Sequence, residues 1–380
     1  MTAIIPGTLP PSDAERWANC AFSFALQAQY PQGEVTQAQR EGVAADWLAM
    51  KLVEQGGIVE TPGGVAPNGI SFDQEMIDAA RCFANDVSDA EAQASPQASL
   101  RVQAPVTMHR LVHLHNEGRP DVFLIDMVRR SIIIWEFKYG YRFVDPYMNL
   151  AMLDYLAGIF EGYDLSEADL AGVKISLRVV QPRNYQAAGP VRVWDTTPAV
   201  VFERIRWLAQ RAALAKQHGA HASTGPWCLD CSGNTHCTRF LDTVSGAVDQ
   251  SGKSLPHDMS PEATGAMLTL LDTAAARIKA LRDGLDAEAS ALIRKGTPVR
   301  GWHIKRDPTP RRWTVPVPEV LALGEMMGLT LTKEAEAITP AQAVKLGLDE
   351  ALVDTYAQRF QGAEKLAPIS ATAAEKAFSK

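Results

Sequence analysis

The spacing of apolar residues changes along the chain. From Pro11 to about Asn85 it follows a three-to-four rhythm, in DAERWANCAFSFALQAQ, QREGVAADWLAMKLVEQGG and SFDQEMIDAARCFANDV, which predicts helices, the second stopped by Gly56 and Gly57. From Leu100 to about Arg183 the period shortens toward two. LRVQAPVTM, DVFLIDM, SIIIWEF and VKISLRVVQPR read as strands, with the helix PYMNLAMLDYLAGIFEG before the last of them. Strands mixed with helices predict an α/β core. A further helix, AVVFERIRWLAQRAALAKQ, leads to the cysteine-rich WCLDCSGNTHC, and SGAVDQSGKSLPHDMS has the composition of a linker. Beyond Ser260 the pattern is again mostly helical. Met267, Leu271, Ala274, Ile278, Leu281 and Leu285 alternate four and three residues apart, a seam that predicts a long helix packed on a partner helix, in an intramolecular hairpin rather than an oligomeric coiled coil. The expected organisation is an α/β domain with N-terminal helices over 1–245, a linker over 246–260 and a mostly helical domain over 261–380.

Composition narrows the classes. With 380 residues, 46% apolar and 21% charged, the chain has the makeup of a globular protein able to bury one large core or two smaller ones. No run reaches about 18 uncharged apolar residues, and the N-terminus lacks a basic stretch followed by an apolar one, so a cytoplasmic protein is expected. A formal charge of −7 means that any surface for nucleic acid has to be a local patch. Five cysteines, an odd number without a secretory signal, argue against a disulfide framework and for metal or cluster binding.

The stretch GRPDVFLIDMVRRSIIIWEFKYG carries the candidate chemistry. In a strand, Glu136 and Lys138 share one face with Ile132 and Ile134, while Trp135 and Phe137 take the other. Two charges at the end of a buried apolar strand need partners, and Asp121, opening the neighbouring strand, is placed to be one. Two carboxylates at an open strand end make a hard-oxygen site for Mg²⁺ or Mn²⁺, and a lysine beside them stabilises charge developing on a phosphate. A Glu-x-Lys triplet alone is more often a solvated ion pair on a strand, so the context has to carry the reading.

The full series is Gly-x-Pro-Asp, an apolar strand, a turn through Arg129 and Arg130, a second apolar strand and then Glu-x-Lys. It resembles the PD-(D/E)xK nucleases, particularly their RecB-like branch. The resemblance implies a restriction-endonuclease-like core, a central mixed sheet flanked by helices. It assigns Asp121 and Glu136 to the metal, the Phe137 carbonyl as an extra ligand, and the catalytic role to Lys138. NLAMLDY occupies the position of the branch's Gln-x-x-x-Tyr helix, with Tyr155 matching a DNA-facing residue and Ala151 standing where the Gln is found. Phage-encoded proteins of this branch carry EGTAAH on an early helix, its His a metal ligand. Here EGVAADWLAM puts Asp46 at that place, and a carboxylate ligates Mg²⁺ readily. The similarity extends through VVQPR, GWHIKRDPTPRRW and ITPAQAVKLGL.

Cys228, Cys231 and Cys237 form C-x2-C-x5-C. A zinc knuckle fails, because the position that should be its last Cys is Leu241; a Cys3His zinc site using His236, His218 or His221 stays open. In the RecB-like branch that includes the AddB-type helicase-nucleases and the CRISPR adaptation exonucleases, this spacing closes a [4Fe-4S] cluster whose fourth Cys lies far upstream. Cys20, in a segment resembling the branch's Ser-Ala-x-Arg-Trp-x-x-Cys opening, takes that place. Cys82 reads as a core residue.

For DNA, RKGTPVRGWHIKRDPTPRRW gathers Arg294, Lys295, Arg300, Lys305, Arg306, Arg311 and Arg312 with Trp302 and Trp313 interleaved, a composition suited to phosphate contacts and stacking on a single strand or frayed end. Arg204, Arg211 and Lys216 suggest a second basic face. The expected function is a metal-dependent DNA exonuclease of phage replication or recombination, partnered, on resemblance, with a single-strand-binding or annealing protein. The alternative is a catalytically weak DNA-binding or scaffolding protein that keeps the fold and the cluster. No G-x-x-x-x-G-K-[ST] phosphate loop is present, so helicase activity of its own is not expected.

Overall fold

Strands rich in Ile, Val and Trp need cover on both faces, and helices before, between and after them in the sequence supply it. A computed structural model describes residues 7–30, 35–56, 64–184, 189–251 and 259–304, with Ala322 and Met326. By compactness the chain divides into Met1–Ile304 and Lys305–Lys380; the elements that follow belong to the first unit. They are α1 (Ala14–Asn19), α2 (Ala21–Gln29), α3 (Gln37–Glu54), α4 (Gln74–Ala92), β1 (Ser99–Val102), β2 (Val106–Thr107), β3 (Glu117–Gly118), β4 (Val122–Asp126), β5 (Ser131–Phe137), α5 (Leu150–Gly162), β6 (Lys174–Val180), β7 (Val191–Thr196), α6 (Pro198–Ala215), α7 (Thr238–Ser251) and α8 (Pro261–Arg294).

The result is an α/β architecture with a mixed five-stranded sheet, order β1-β4-β5-β6-β7. Only β5 and β6 run parallel, joined by the crossover helix α5; the remaining pairs are antiparallel. Alternation along β5 sorts its residues between two cores. Ile132 and Ile134 join α1, α5 and α6, whereas Ile133, Trp135 and Phe137 join α3 and α4. Each such aliphatic side chain contributes about 1.5–3 kcal/mol on burial. The tight β4–β5 turn is secured by Asp126, whose buried carboxylate accepts from the Ser95 N–H and hydroxyl and from the Arg129 N–H at 2.6, 2.8 and 3.0 Å.

Helix starts follow local chemistry. Thr36 and Gln39 exchange side-chain and backbone bonds in a capping box that opens α3, and Asp73 and Asn149 cap α4 and α5. Elsewhere the periodicity misled. The helix expected over 13–29 breaks at Cys20, which takes an extended conformation between α1 and α2. The strand expected over 100–108 splits into β1 and β2 at Gln103, held at a φ of 43°. The segment 246–260 was expected to be a linker, but α7 continues through Ser251. α8 then packs against α7 and the 234–236 turn, so the division by compactness falls at Ile304. Along α8, Ala274 is buried while Leu271, Ile278 and Leu285 stay exposed. Among the described residues α7 is the partner helix, and it covers only part of the expected seam.

Candidate functional site

Asp121 is the residue before β4, and its position is fixed from two sides. The Gln103 N–H donates to its carbonyl at 2.8 Å, and the Phe137 N–H donates to its Oδ2 at 2.7 Å. β5 thus delivers Glu136 and Lys138 beside Asp121. Lys138 continues the ladder past the end of β5, its N–H donating to the Val180 carbonyl at 2.9 Å, and its Nζ lies 2.5 Å from Glu136 Oε1. Its side chain is 41% exposed, at the mouth of the cluster. The Phe137 ring points to the other face, against Phe83 at 5.4 Å, so this residue reaches Asp121 through its backbone.

Asp46 arrives from α3 and Tyr155 from α5. Burial, the Glu136 carboxylate beside it, and opposing help from Lys138 and Gln103 leave the Asp46 carboxyl pushed up to about 6. Burial, then Glu136 and Asp46, hold Asp121 well above the usual carboxylate range. Lys138 is held above its ordinary range, chiefly by Glu136 and then by Asp121 and Asp46 against burial. The Tyr155 phenol is raised by burial and by the same carboxylates. All five sequence-predicted residues, Asp46, Asp121, Glu136, Lys138 and Tyr155, therefore share one electrostatic neighbourhood. Three carboxylates facing one ammonium carry an excess of negative charge that a divalent cation would offset. Among the described residues, no group of three or more His, Cys, Asp or Glu side chains stands in a geometry that would hold a metal ion as drawn.

The break at Cys20 places that side chain in one small cavity with Cys228, Cys231 and Cys237, closed by Phe22, Leu26, Trp227 and Phe240. The Ser223 N–H donates to Cys20 Sγ at 3.4 Å. Burial pushes the Cys228 thiol up and the Cys231 thiol up to about 11. Four soft donors in an apolar pocket suit a thiolate-bound zinc or an iron-sulfur cluster, since a metal would supply the positive charge that burial withholds. His236 is turned elsewhere: it stacks on Tyr30 at 3.8 Å, and its Nε2 lies 2.9 Å from Glu288. His218 and His221 are exposed and do not line the cavity, so the Cys3His set is not brought together. Cys82 lies at the edge of the α3/α4 core.

Of the second basic face expected from Arg204, Arg211 and Lys216, Arg204 is half-buried on α6 and the other two turn inward. Lys216 is 1% exposed and gives its ammonium to the Gly7 carbonyl, and Arg211 gives Nε to the Ala18 carbonyl, so both bind the N-terminal segment instead of facing solvent. Arg300 and Trp302 follow α8 and are exposed, Trp302 at 60% with Arg282 stacked 4.9 Å above it. Lys305, Arg306, Arg311, Arg312 and Trp313 lie outside the described residues. No helix among the described residues is long and apolar enough to cross a membrane.

A family model described as "Protein of unknown function (DUF2800)" matches residues 7–372, spanning the carboxylate cluster, the cysteine cavity and most of the second unit. The chain belongs to the DUF2800 family. No curated protein matches it. In this DUF2800 chain, several residues around the cluster escaped the sequence reading. Gln103 donates to Asp46 Oδ2 at 3.3 Å from a left-handed backbone that nothing in Gln-Ala-Pro announces. Asp154, next to Tyr155, is fully buried; Asn116 Nδ2 donates to both its oxygens at 2.8 and 2.9 Å. Burial, partly offset by Asn116, pushes its carboxyl up to about 7. A lone acid in the apolar run LAMLDYLAGIF was the available signal.

Proposed function

We propose that this protein is a metal-dependent deoxyribonuclease of the PD-(D/E)xK type, acting on free DNA ends, with a [4Fe-4S] cluster at Cys20, Cys228, Cys231 and Cys237. The observation that carries the reading is the convergence of Asp121, Glu136 and Lys138 at the end of β4 and β5 with Asp46 from a separate helix. Asp46, Asp121 and Glu136 would hold Mg²⁺ or Mn²⁺, whose contribution when bound is a more acidic water and a neutralised phosphate. Lys138 stays protonated beside Glu136, so it brings positive charge to a scissile phosphate as negative charge develops there. The Phe137 N–H fixes the orientation of Asp121, and Tyr155 closes the cluster from α5. At the cysteine cavity a cluster is preferred to zinc because the RecB-like arrangement joins three close thiols to one distant in sequence.

The test is incubation of end-labelled linear DNA and closed circular DNA with Mg²⁺, Mn²⁺ or EDTA. Linear DNA should shorten only with metal, and Asp121→Ala, Glu136→Ala and Lys138→Ala should each lower the rate by a factor of about 100 or more. Three variants that cut as fast as the parent would end the assignment.

A further inference from the structure

The loop that leaves the carboxylate cluster, Tyr139–Val144, is fastened with unusual care. Gln181 is fully buried, and its Nε2 donates to the carbonyls of Gly140 and Arg142 at 2.6 Å each. Its Oε1 accepts from the Val144 N–H at 3.2 Å and from the Arg192 guanidinium at 2.5 Å. Asn184 donates to the Tyr141 carbonyl at 2.7 Å. Such a loop has little freedom left, yet it holds large rings out in solvent: Tyr141 is 62% exposed and Phe143 48%. Each ring is backed by a cation. Arg183 sits 4.1 Å from the Tyr141 centroid and Arg192 4.7 Å from that of Phe143. Arg183 is itself sandwiched, 4.4 Å from Tyr139, bonded to the Tyr141 hydroxyl and paired with Glu75 at 3.1 Å.

Rigid exposed aromatics spend no ordering entropy when a flat ring stacks on them, and guanidinium backing supplies positive potential for a phosphate chain passing alongside. The loop starts at the residue after Lys138, which sets the two rings three and five residues along the chain from the cluster. We propose that Tyr141 and Phe143, propped by Arg183 and Arg192, form a base-stacking platform that receives single-stranded nucleic acid beside Asp121, Glu136 and Lys138. The proposal rests on reading that cluster as a nuclease centre and adds to it the form of the substrate: an unpaired end, held by its bases. Arg183 and Arg192 are positioning residues, and Tyr141 and Phe143 are the binding surface.

The experiment measures anisotropy of a fluorescent oligothymidylate with a Glu136→Gln chain, which binds without cutting, and steady-state cleavage of the same oligonucleotide by the otherwise unchanged chain. Tyr141→Ala and Phe143→Ala should each weaken binding about tenfold, Tyr141→Trp and Tyr141→Phe should keep it, and Tyr141→Leu should not restore it. In cleavage, KM should rise by a similar factor with kcat nearly unchanged. Both rings are exposed, so thermal midpoints should hold. Unchanged oligonucleotide binding by the Tyr141→Ala/Phe143→Ala double variant overturns the platform, and normal cleavage by that variant would leave the nuclease reading standing. A parent that binds no oligonucleotide also overturns the platform, pointing to a protein partner for the loop. Binding that falls as described in a chain that never cleaves DNA keeps the platform and removes the catalytic reading.

Discussion

At the proposed centre, Asp46 is the side chain that would set which ion is preferred. Its carboxyl, raised by burial and Glu136, is stabilised as an anion only weakly by Lys138 and Gln103, so a cation bound there would be the stronger partner. Asp46→Asn should raise the Mg²⁺ concentration needed for half-maximal rate at least tenfold, whereas Asp46→His should retain activity and favour Mn²⁺, since imidazole suits the transition metal. Metal titrations of cleavage rate check both, and superimposable curves for all three chains would remove Asp46 from the ligand set. On α5, beside Tyr155 in the chain, Asp154 carries a different consequence. Below about pH 4 it is protonated whether the chain is folded or unfolded; as pH rises the unfolded chain ionises it while the folded chain keeps the proton to about 7. Stability therefore falls across that window, by something on the order of 4 kcal/mol for three pKa units at this fully buried group. Asp154→Asn, keeping an acceptor for Asn116, should flatten the decline, read as the pH dependence of the difference in urea midpoints between the two chains.

Among elements, those whose sequence signal is local were legible and those set by distant contacts were not. β4, β5, β6, α5 and α6 appear where alternation or helical spacing put them, because the strands feed apolar residues into both cores and the two helices bury most of theirs in one. β7 was overlooked although Val191, Val193 and Asp195 alternate with Arg192 and Trp194; it is a half-buried edge strand, where the contrast between faces is weak. The breaks at Cys20 and Gln103 obey partners more than fifty residues away, Ser223 and Asp46, which no local pattern contains. Gly118 shows how tightly such joins are made. A Cβ there would lie 2.8 Å from the Tyr155 ring and 3.0 Å from the Pro11 ring. Gly118→Ala should cost about 1–3 kcal/mol and lower activity by displacing Tyr155. In a Tyr155→Ala background that cost should shrink, a coupling that a double-mutant cycle of denaturation midpoints measures.

For the whole molecule, a cluster held by the four cysteines of one cavity would tie α1 and α2 to the segment before α7, a long closure that would restrict the unfolded chain strongly. Protein purified without oxygen should be brown, with iron and acid-labile sulfide in near-equal amounts, and Cys20→Ser should destabilise it about as much as Cys228→Ser. Stoichiometric zinc without iron would replace the cluster with a zinc site. The cysteine grouping was legible from spacing and resemblance, since ligands need only meet. The order of meeting was not. Gly7 and Ala18 accept their bonds from Lys216 and Arg211, which lie 209 and 193 residues downstream. At 5–20 residues per second, a ribosome needs roughly 10–40 s to supply those partners. Until then Leu9, Trp17 and Cys20, all buried in the folded chain, sit in a segment that lacks those downstream anchors. Residues 7–20 thus reach their full set of interior contacts only after α6 has been made, and a nascent chain offers that segment to chaperones, proteases and oxidants for at least as long.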